Sequence, residues 1–133
     1  MFDHIYKELA QDTSGKSFER FCVWFLENDP YWLTQVDKVW LWDDYPKRWG
    51  IRPDGGTDIV IKHKNGETWA VQAKCYAPAY YIKKGDLDSF VSHATHPKVA
   101  RLLVLATTDH TGGLQSHQAK GYLESLIMAN FPD

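Results

Sequence analysis

Cysteine is scarce in this chain, and long apolar runs are absent. Only Cys22 and Cys75 occur among 133 residues, at no metal-ligand spacing, which excludes a disulfide framework and a thiolate zinc site. Both read as reduced, buried thiols. No stretch approaches ~18 consecutive apolar residues, so no membrane-spanning helix is expected. The opening Met1-Phe2-Asp3-His4 lacks the basic-then-apolar pattern of a secretion signal, and a cytoplasmic location is the expectation. Excess positive charge is missing as well, the formal net charge being −2. No protein-wide field advertises nucleic acid, and such a partner would have to be met by local basic clusters. No G-x-x-x-x-G-K-[ST] loop occurs, and no internal repeat, linker or low-complexity tract. This stretch of chain therefore carries no P-loop nucleotide site of its own.

What is present is an ordinary globular composition, 44% hydrophobic and 24% charged, in a length that suits one domain over residues 1–133. Six tryptophans, seven tyrosines and six phenylalanines can fill a sizeable core. Residues 2–11 carry Ile5 and Leu9 at i, i+4 and predict a short helix. Asp12-Thr13-Ser14-Gly15 breaks it, with Ser14 the expected cap of the next. That second helix, Lys16 to Asn28, sets Phe18, Phe21, Cys22, Phe25 and Leu26 on one stripe. Glu19 falls about 20° around the helix from Leu26 and so borders the buried face. On its own it reads as a snorkelling surface residue. Asp29-Pro30 ends the helix. Val36 to Trp42 predicts a strand with Trp40 and Trp42 on one face, where core packing is favoured over base stacking. Residues 43–54 form a polar loop holding Lys47, Arg48 and Arg52. Phosphate contacts or simple solvation explain that basic cluster about equally.

Ile59 to His63 and Glu67 to Cys75 read as a hairpin about Asn65-Gly66. A loop through Tyr80 and Tyr81 leads to Lys83-Lys84, and Leu87, Phe90, Val91 and Ala94 predict a helix from about Asp86. His93 and His96 near its end have a metal-capable spacing but no evident third ligand. Leu102 to Ala106 is a continuous apolar run, suited to a strand covered on both faces. Thr111-Gly112-Gly113 is a turn, and Ala119, Tyr122, Leu123, Leu126 and Ile127 predict a last helix. The chain stops soon after it, which gives it the look of the amino-terminal fragment of a larger protein. The order of elements implies a three-layer α/β domain, with a central mixed sheet of about four strands and flanking helices.

Chemistry-bearing residues concentrate in Asp54-Gly55-Gly56-Thr57-Asp58 and Val71-Gln72-Ala73-Lys74. Alternation along a strand puts Gln72 and Lys74 on one face and Val71, Ala73 and Cys75 on the other. Hydrolysis of a phosphodiester needs a positioned water, a metal that polarises the phosphate, and relief of charge on the leaving oxygen. Mg2+ takes oxygen ligands and often only one or two carboxylates. Asp58, the Gln72 side-chain carbonyl, the Ala73 main-chain carbonyl and Glu19 are oxygen donors of that kind. Lys74 beside them would stabilise transition-state charge or orient the nucleophile. Each fragment is common by chance; the ordered set, with a helix glutamate upstream, is more specific.

The set resembles the PD-(D/E)xK nuclease superfamily in its Mrr-like restriction endonuclease branch, where Gln commonly stands in place of a second acid. Gly15-Lys16-Ser17-Phe18-Glu19-Arg20, Val39-Trp40-Leu41-Trp42, Thr57-Asp58-Ile59-Val60, Asp86-Leu87-Asp88-Ser89-Phe90 and Ala106-Thr107-Thr108-Asp109 extend the likeness over roughly residues 14–118. It looks like the amino-terminal nuclease domain of single-polypeptide restriction–modification enzymes and related helicases. The resemblance implies a restriction-endonuclease-like fold and Mg2+-dependent cleavage or nicking of double-stranded DNA, with Mn2+ as a substitute metal. It implies Asp58 as principal metal ligand, Gln72 and the Ala73 carbonyl completing the site, Lys74 as catalytic lysine and Glu19 as the helix carboxylate. Asp54 matches the first acid of the glycine turn. Lys47, Arg48, Arg52, Lys83 and Lys84 are the candidate DNA contacts. Translocase and methyltransferase domains are expected in cis, outside this chain. Thr57, where a bulky apolar residue is usual, and Ala73, often Cys, are departures that do not touch the chemistry. The competing reading is a nuclease fold that has lost catalysis and serves to bind DNA or dock a partner.

Overall fold

The stripe on the second helix organises one side of the molecule. In the structure, a computed structural model that describes residues 2–49, 56–76, 80, 83–107 and 126–130, α1 runs Phe2–Gln11 and α2 Lys16–Asn28. Phe18, Cys22, Phe25 and Leu26 of α2 are buried, as their i, i+4, i+7, i+8 spacing requires. Phe21 stays half-buried and packs on Phe25, ring centroids 6.5 Å apart. The cap of α2 differs from the expectation. Gly15 occupies the N-cap with φ +77, and the Asp12 carboxylate accepts the N–H groups of Ser14 and Ser17 at 3.0 and 2.9 Å. Ser14 itself accepts only the Lys16 N–H, at 3.2 Å. A carboxylate outcompetes the hydroxyl because charge-assisted bonds to orphan N–H groups are the stronger ones.

Asp29 does end α2, and it also starts α3, Pro30–Leu33. Its carboxylate accepts the Tyr31 and Trp32 N–H groups, with Pro30 in the first turn where its missing N–H costs nothing. Strand β1, Val36–Leu41, gives way at Trp42 to a 3-10 turn over Trp42–Asp44. The hairpin falls as expected, with β2 at Ile59–His63 and β3 at Thr68–Lys74. Gly66 takes φ +94 in the turn, and its N–H closes on the His63 carbonyl at 2.9 Å. Helix α4, Lys84–Ala94, then carries the chain to β4, Arg101–Ala106.

With a fifth strand, β5, at Leu126–Asn130, the described strands form one sheet in the order β1-β2-β3-β4-β5. The β1/β2 and β2/β3 pairs are antiparallel, and the β3/β4 and β4/β5 pairs parallel. The fifth strand is a correction. Leu126 and Ile127 lie in it, opposite Leu102 and Leu103, and not at the end of a helix. A short apolar run is ambiguous between the two periods. The rest of that expected helix, and the turn at residues 111–113, lie outside the described residues.

Each sheet face has its own core. Ile59, Ile61, Trp69, Val71, Leu103 and Leu105 pack with the α2 stripe and Trp32. Val60, Ala70, Leu102, Val104 and Ala106 pack with Leu87, Phe90 and Ala94 of α4 and with Trp42 and Trp49. The result is the expected three layers, helix on sheet on helix. Trp42 meets Trp49 edge to face at 4.8 Å and both are core, while half-buried Trp40 and Tyr45, 4.9 Å apart, pack against that core. Among the described residues no helix is long and apolar enough to cross a membrane.

Candidate active site

The glycine turn before β2 is built against α4. Gly56 has φ +89, and a Cβ there would stand 2.9 Å from the Phe90 Cα. Glycine alone satisfies both the left-handed backbone and the close approach. Asp58 follows, locked by its own main chain: its N–H donates to the Val71 carbonyl and its carbonyl accepts the Trp42 N–H, both at 2.9 Å. The side chain then reaches across to β3, where Oδ2 accepts the Ala73 N–H at 2.9 Å. Since N–H and C=O of one strand residue point to the same neighbour, the Ala73 carbonyl faces this edge too.

Gln72 and Lys74 project to the α4 face. Gln72 is only 7% exposed, its amide nitrogen lies 3.3 Å from the position a Gly56 Cβ would take, and its Oε1 is buried without a hydrogen-bond partner among the described residues. A buried carbonyl oxygen left unsatisfied costs free energy, which makes it the orphan acceptor that a cation or water would satisfy. Lys74 is half-buried, with Nζ 5.9 Å from the Tyr76 ring centroid.

On the other side, Asp58 and Glu19 share a small open cleft of about 190 Å³, lined also by Lys16, Arg20, Trp42, Asp43 and Thr57. Burial pushes the Asp58 carboxyl up to about 7, and the Glu19 charge adds to the rise. The Ala73 N–H, Lys74 and Lys16 oppose it. Glu19 is likewise raised, first by burial and then by Asp43, against Lys16 and Arg20. The structure thus brings Asp58 to Glu19, to the Ala73 backbone and within electrostatic reach of Lys74. Gln72 and Lys74 do not line the cleft. Asp43, Lys16 and Arg20 were not singled out from sequence. Asp43 sits in the 3-10 turn that follows β1, and no pattern in the sequence pointed to it.

Among the described residues no three His, Cys, Asp or Glu side chains group as a metal site. What lines the cleft is Asp58, Glu19 and Asp43, oxygen donors that suit a hard divalent ion and suit zinc poorly. In the His93–His96 pair, His93 Nδ1 contacts the Ser89 carbonyl at 2.8 Å, and His96 Nδ1 accepts the Lys98 N–H at 3.1 Å. Cys22 and Cys75 are free thiols, the first buried and the second half-buried. Lys47, Arg48 and Lys83 are exposed. Asp54, Gly55, Arg52 and the Lys84 side chain lie outside what the structure describes.

These elements define a restriction-endonuclease-like α/β fold, and residues 27–125 match the Mrr-type catalytic family described as restriction endonuclease. The chain belongs to that family. The match takes in Asp58, Gln72, Ala73 and Lys74 but begins after Glu19, whose place in the site rests on the cleft geometry alone. A solved structure of the ATP-dependent Type ISP restriction-modification enzyme LlaBIII bound to DNA is similar in fold, with a TM-score of 0.69 and 23% identity. The likeness covers 95% of this chain and 8% of that one. No curated protein matches the chain.

Proposed function

We propose that this domain hydrolyses phosphodiester bonds of double-stranded DNA with Mg2+, nicking or cutting it with little sequence preference of its own. One observation carries the reading: Asp58 is hydrogen-bonded to the β3 backbone between Gln72 and Lys74 and opens on a cleft shared with Glu19. When bound, a divalent cation supplies positive charge to polarise the phosphate. Asp58 would be its principal ligand, with Glu19, the Ala73 carbonyl and the Gln72 oxygen as the further donors that would hold it. Lys74 stabilises the negative charge that develops on the phosphate or holds the attacking water. Lys16 and Arg20 on the cleft wall, and Lys47 and Arg48 beyond it, neutralise backbone phosphates. Family membership and the likeness to a restriction–modification enzyme support a cleavage module working with translocase and methyltransferase domains in cis. Mn2+ is the expected substitute metal.

A second reading, a nuclease fold that binds DNA or a partner without cutting, draws on the burial of Gln72 away from the cleft. The deciding experiment is nicking of supercoiled plasmid with Mg2+ by the parent, Asp58→Ala and Lys74→Ala proteins. Loss in both variants supports the site; equal rates in all three sink the assignment. A parent that binds DNA yet never nicks it favours the silent module.

A further inference from the structure

Lys74 leaves β3 over an aromatic floor. Its Nζ stands 5.9 Å from the Tyr76 ring centroid, within the range at which an ammonium is drawn to an aromatic face. Tyr76 is stacked on Tyr80, centroids 4.5 Å apart and planes 30° from parallel. The Tyr80 hydroxyl donates to an Asp86 carboxylate oxygen at 2.8 Å, and that same oxygen accepts the Lys83 N–H at 2.9 Å. Asp86 belongs to the first turn of α4, so the stack is anchored to a helix packed on the sheet. The main chain of Tyr76 is held as well. Its N–H donates to the Thr107 hydroxyl, which donates back to the Tyr76 carbonyl, tying the end of β3 to the residue after β4.

What Tyr76 offers Lys74 is the face of its ring and not its hydroxyl. The Tyr76 hydroxyl is buried with no hydrogen-bond partner among the described residues, a state that a phenylalanine would avoid. The ring packs on Tyr80 and against the core of the α4 face, its backbone is held by Thr107, and the charged end of Lys74 lies over it.

We propose that Tyr76, backed by Tyr80 and Asp86, is the positioning platform of Lys74. The ring holds the ammonium at the strand end beside the backbone position that the Asp58 carboxylate occupies. A lysine stem has many rotamers, and ordering it costs entropy each time the charge is needed; a preformed seat removes that cost before substrate arrives. The inference rests on the nuclease reading of Lys74, and its test is read in two ways so that the two can fail separately.

The full chain is reductively methylated with 13C-formaldehyde, and the Lys74 Nζ-methyl signal is assigned by its loss in Lys74→Arg. The parent and Tyr76→Phe share a ring-shifted Lys74 signal, whereas Tyr76→Leu returns it to the position of exposed lysines. In plasmid nicking with Mg2+, Tyr76→Leu loses about ten-fold in kcat at unchanged KM, and Tyr76→Phe stays within about two-fold of the parent. Tyr80→Phe, which removes one hydroxyl and keeps the stack, moves signal and kcat the same way by less. An unmoved Lys74 signal in Tyr76→Leu, or Tyr76→Phe as damaging as Tyr76→Leu, overturns the platform. Should Tyr76→Leu fail to fold, an unmoved signal and unchanged kcat in Tyr80→Phe overturn it. A parent that does not nick, with the Lys74 signal still shifted by Tyr76→Leu, sinks the nuclease reading and leaves the platform standing.

Discussion

The Asp58 carboxylate accepts the Ala73 N–H at 2.9 Å, so the acid ahead of β2 is docked on β3 between Gln72 and Lys74. Docking buries the charge, which is the chief reason its pKa is pushed up to about 7 from 3.8. Between those values the folded protein holds a proton that the unfolded chain has released. The stability contributed by Asp58 is therefore complete below about 3.8, declines as pH rises and is gone above about 7. Asp58→Asn keeps an oxygen to accept the Ala73 N–H but never ionises. Without metal it should melt above the parent at pH 8, by the equivalent of a few kcal/mol. That gap should close as pH falls from 7 to 4. Mg2+ at pH 8 should raise the melting temperature of the parent and leave that of the variant unmoved. A gap that does not change with pH, measured by calorimetry, would show that Asp58 is ionised in the fold throughout.

Gln72 makes a contrasting case. Its Oε1 is buried without a partner among the described residues, so a nearly isosteric apolar side chain removes an unsatisfied group. Gln72→Leu should be neutral or stabilising by up to about 1 kcal/mol in EDTA. The same change should abolish the Mg2+-induced rise in melting temperature and cut plasmid nicking by about 10²-fold, in the range seen when one preorganised polar group is removed. A variant that is stabilised yet still cleaves at the parent rate would leave Gln72 as a buried strand residue and no more.

Gly56 ties the glycine turn to α4. With φ +89 and only 2.9 Å between a built Cβ and the Phe90 Cα, Gly56→Ala meets both backbone strain and a clash with main chain. Each contributes on the order of 1–3 kcal/mol, and backbone cannot move aside as a flexible side chain would. Urea unfolding should show a loss of about 2–4 kcal/mol with little change in m. A loss under about 0.5 kcal/mol would mean that the turn rearranges without cost.

The two core helices, the hairpin and β4 were legible because each buries a long or strongly periodic apolar pattern. Four-residue α3 was not, since one turn carries no period, and β5 was hidden because Leu126 and Ile127 fit a helical spacing as well as a strand. In the site, the spacing of Asp58, Gln72 and Lys74 showed that the last two share a face. It could not show that α2, which brings Glu19, covers the opposite face, leaving Asp58 to serve both. Nor could it find Asp43, which reaches the cleft only because β1 ends beside β2, a tertiary relation fixed by the Trp42 to Asp58 hydrogen bond. The Asp12 carboxylate was not legible as the partner of the first turn of α2 because it reaches the Ser17 N–H from five residues upstream, past the Gly15 N-cap.

Approach of DNA yields the last prediction. The net charge of −2 gives no long-range pull, so binding must come from local contacts screened within about 10 Å at 0.1 M salt. Lys47 and Arg48 are exposed beyond the 3-10 turn that carries Asp43 into the cleft, while Lys16 and Arg20 line the cleft itself. If all four sit on phosphates, each adds about 0.9 to the slope of log K against log salt. Replacing Lys47 and Arg48 together with Gln should flatten that slope by about 2 and weaken binding to unrelated sequences alike. The Lys16→Gln, Arg20→Gln pair should do the same and lower kcat besides, because these two stand beside Asp58 and Glu19. Fluorescence anisotropy on a fluorescent duplex across a salt series reads both slopes. An unchanged slope for Lys47 and Arg48 returns them to a solvated loop, and equal effects of the two pairs on kcat would deny the cleft any special part in the chemistry.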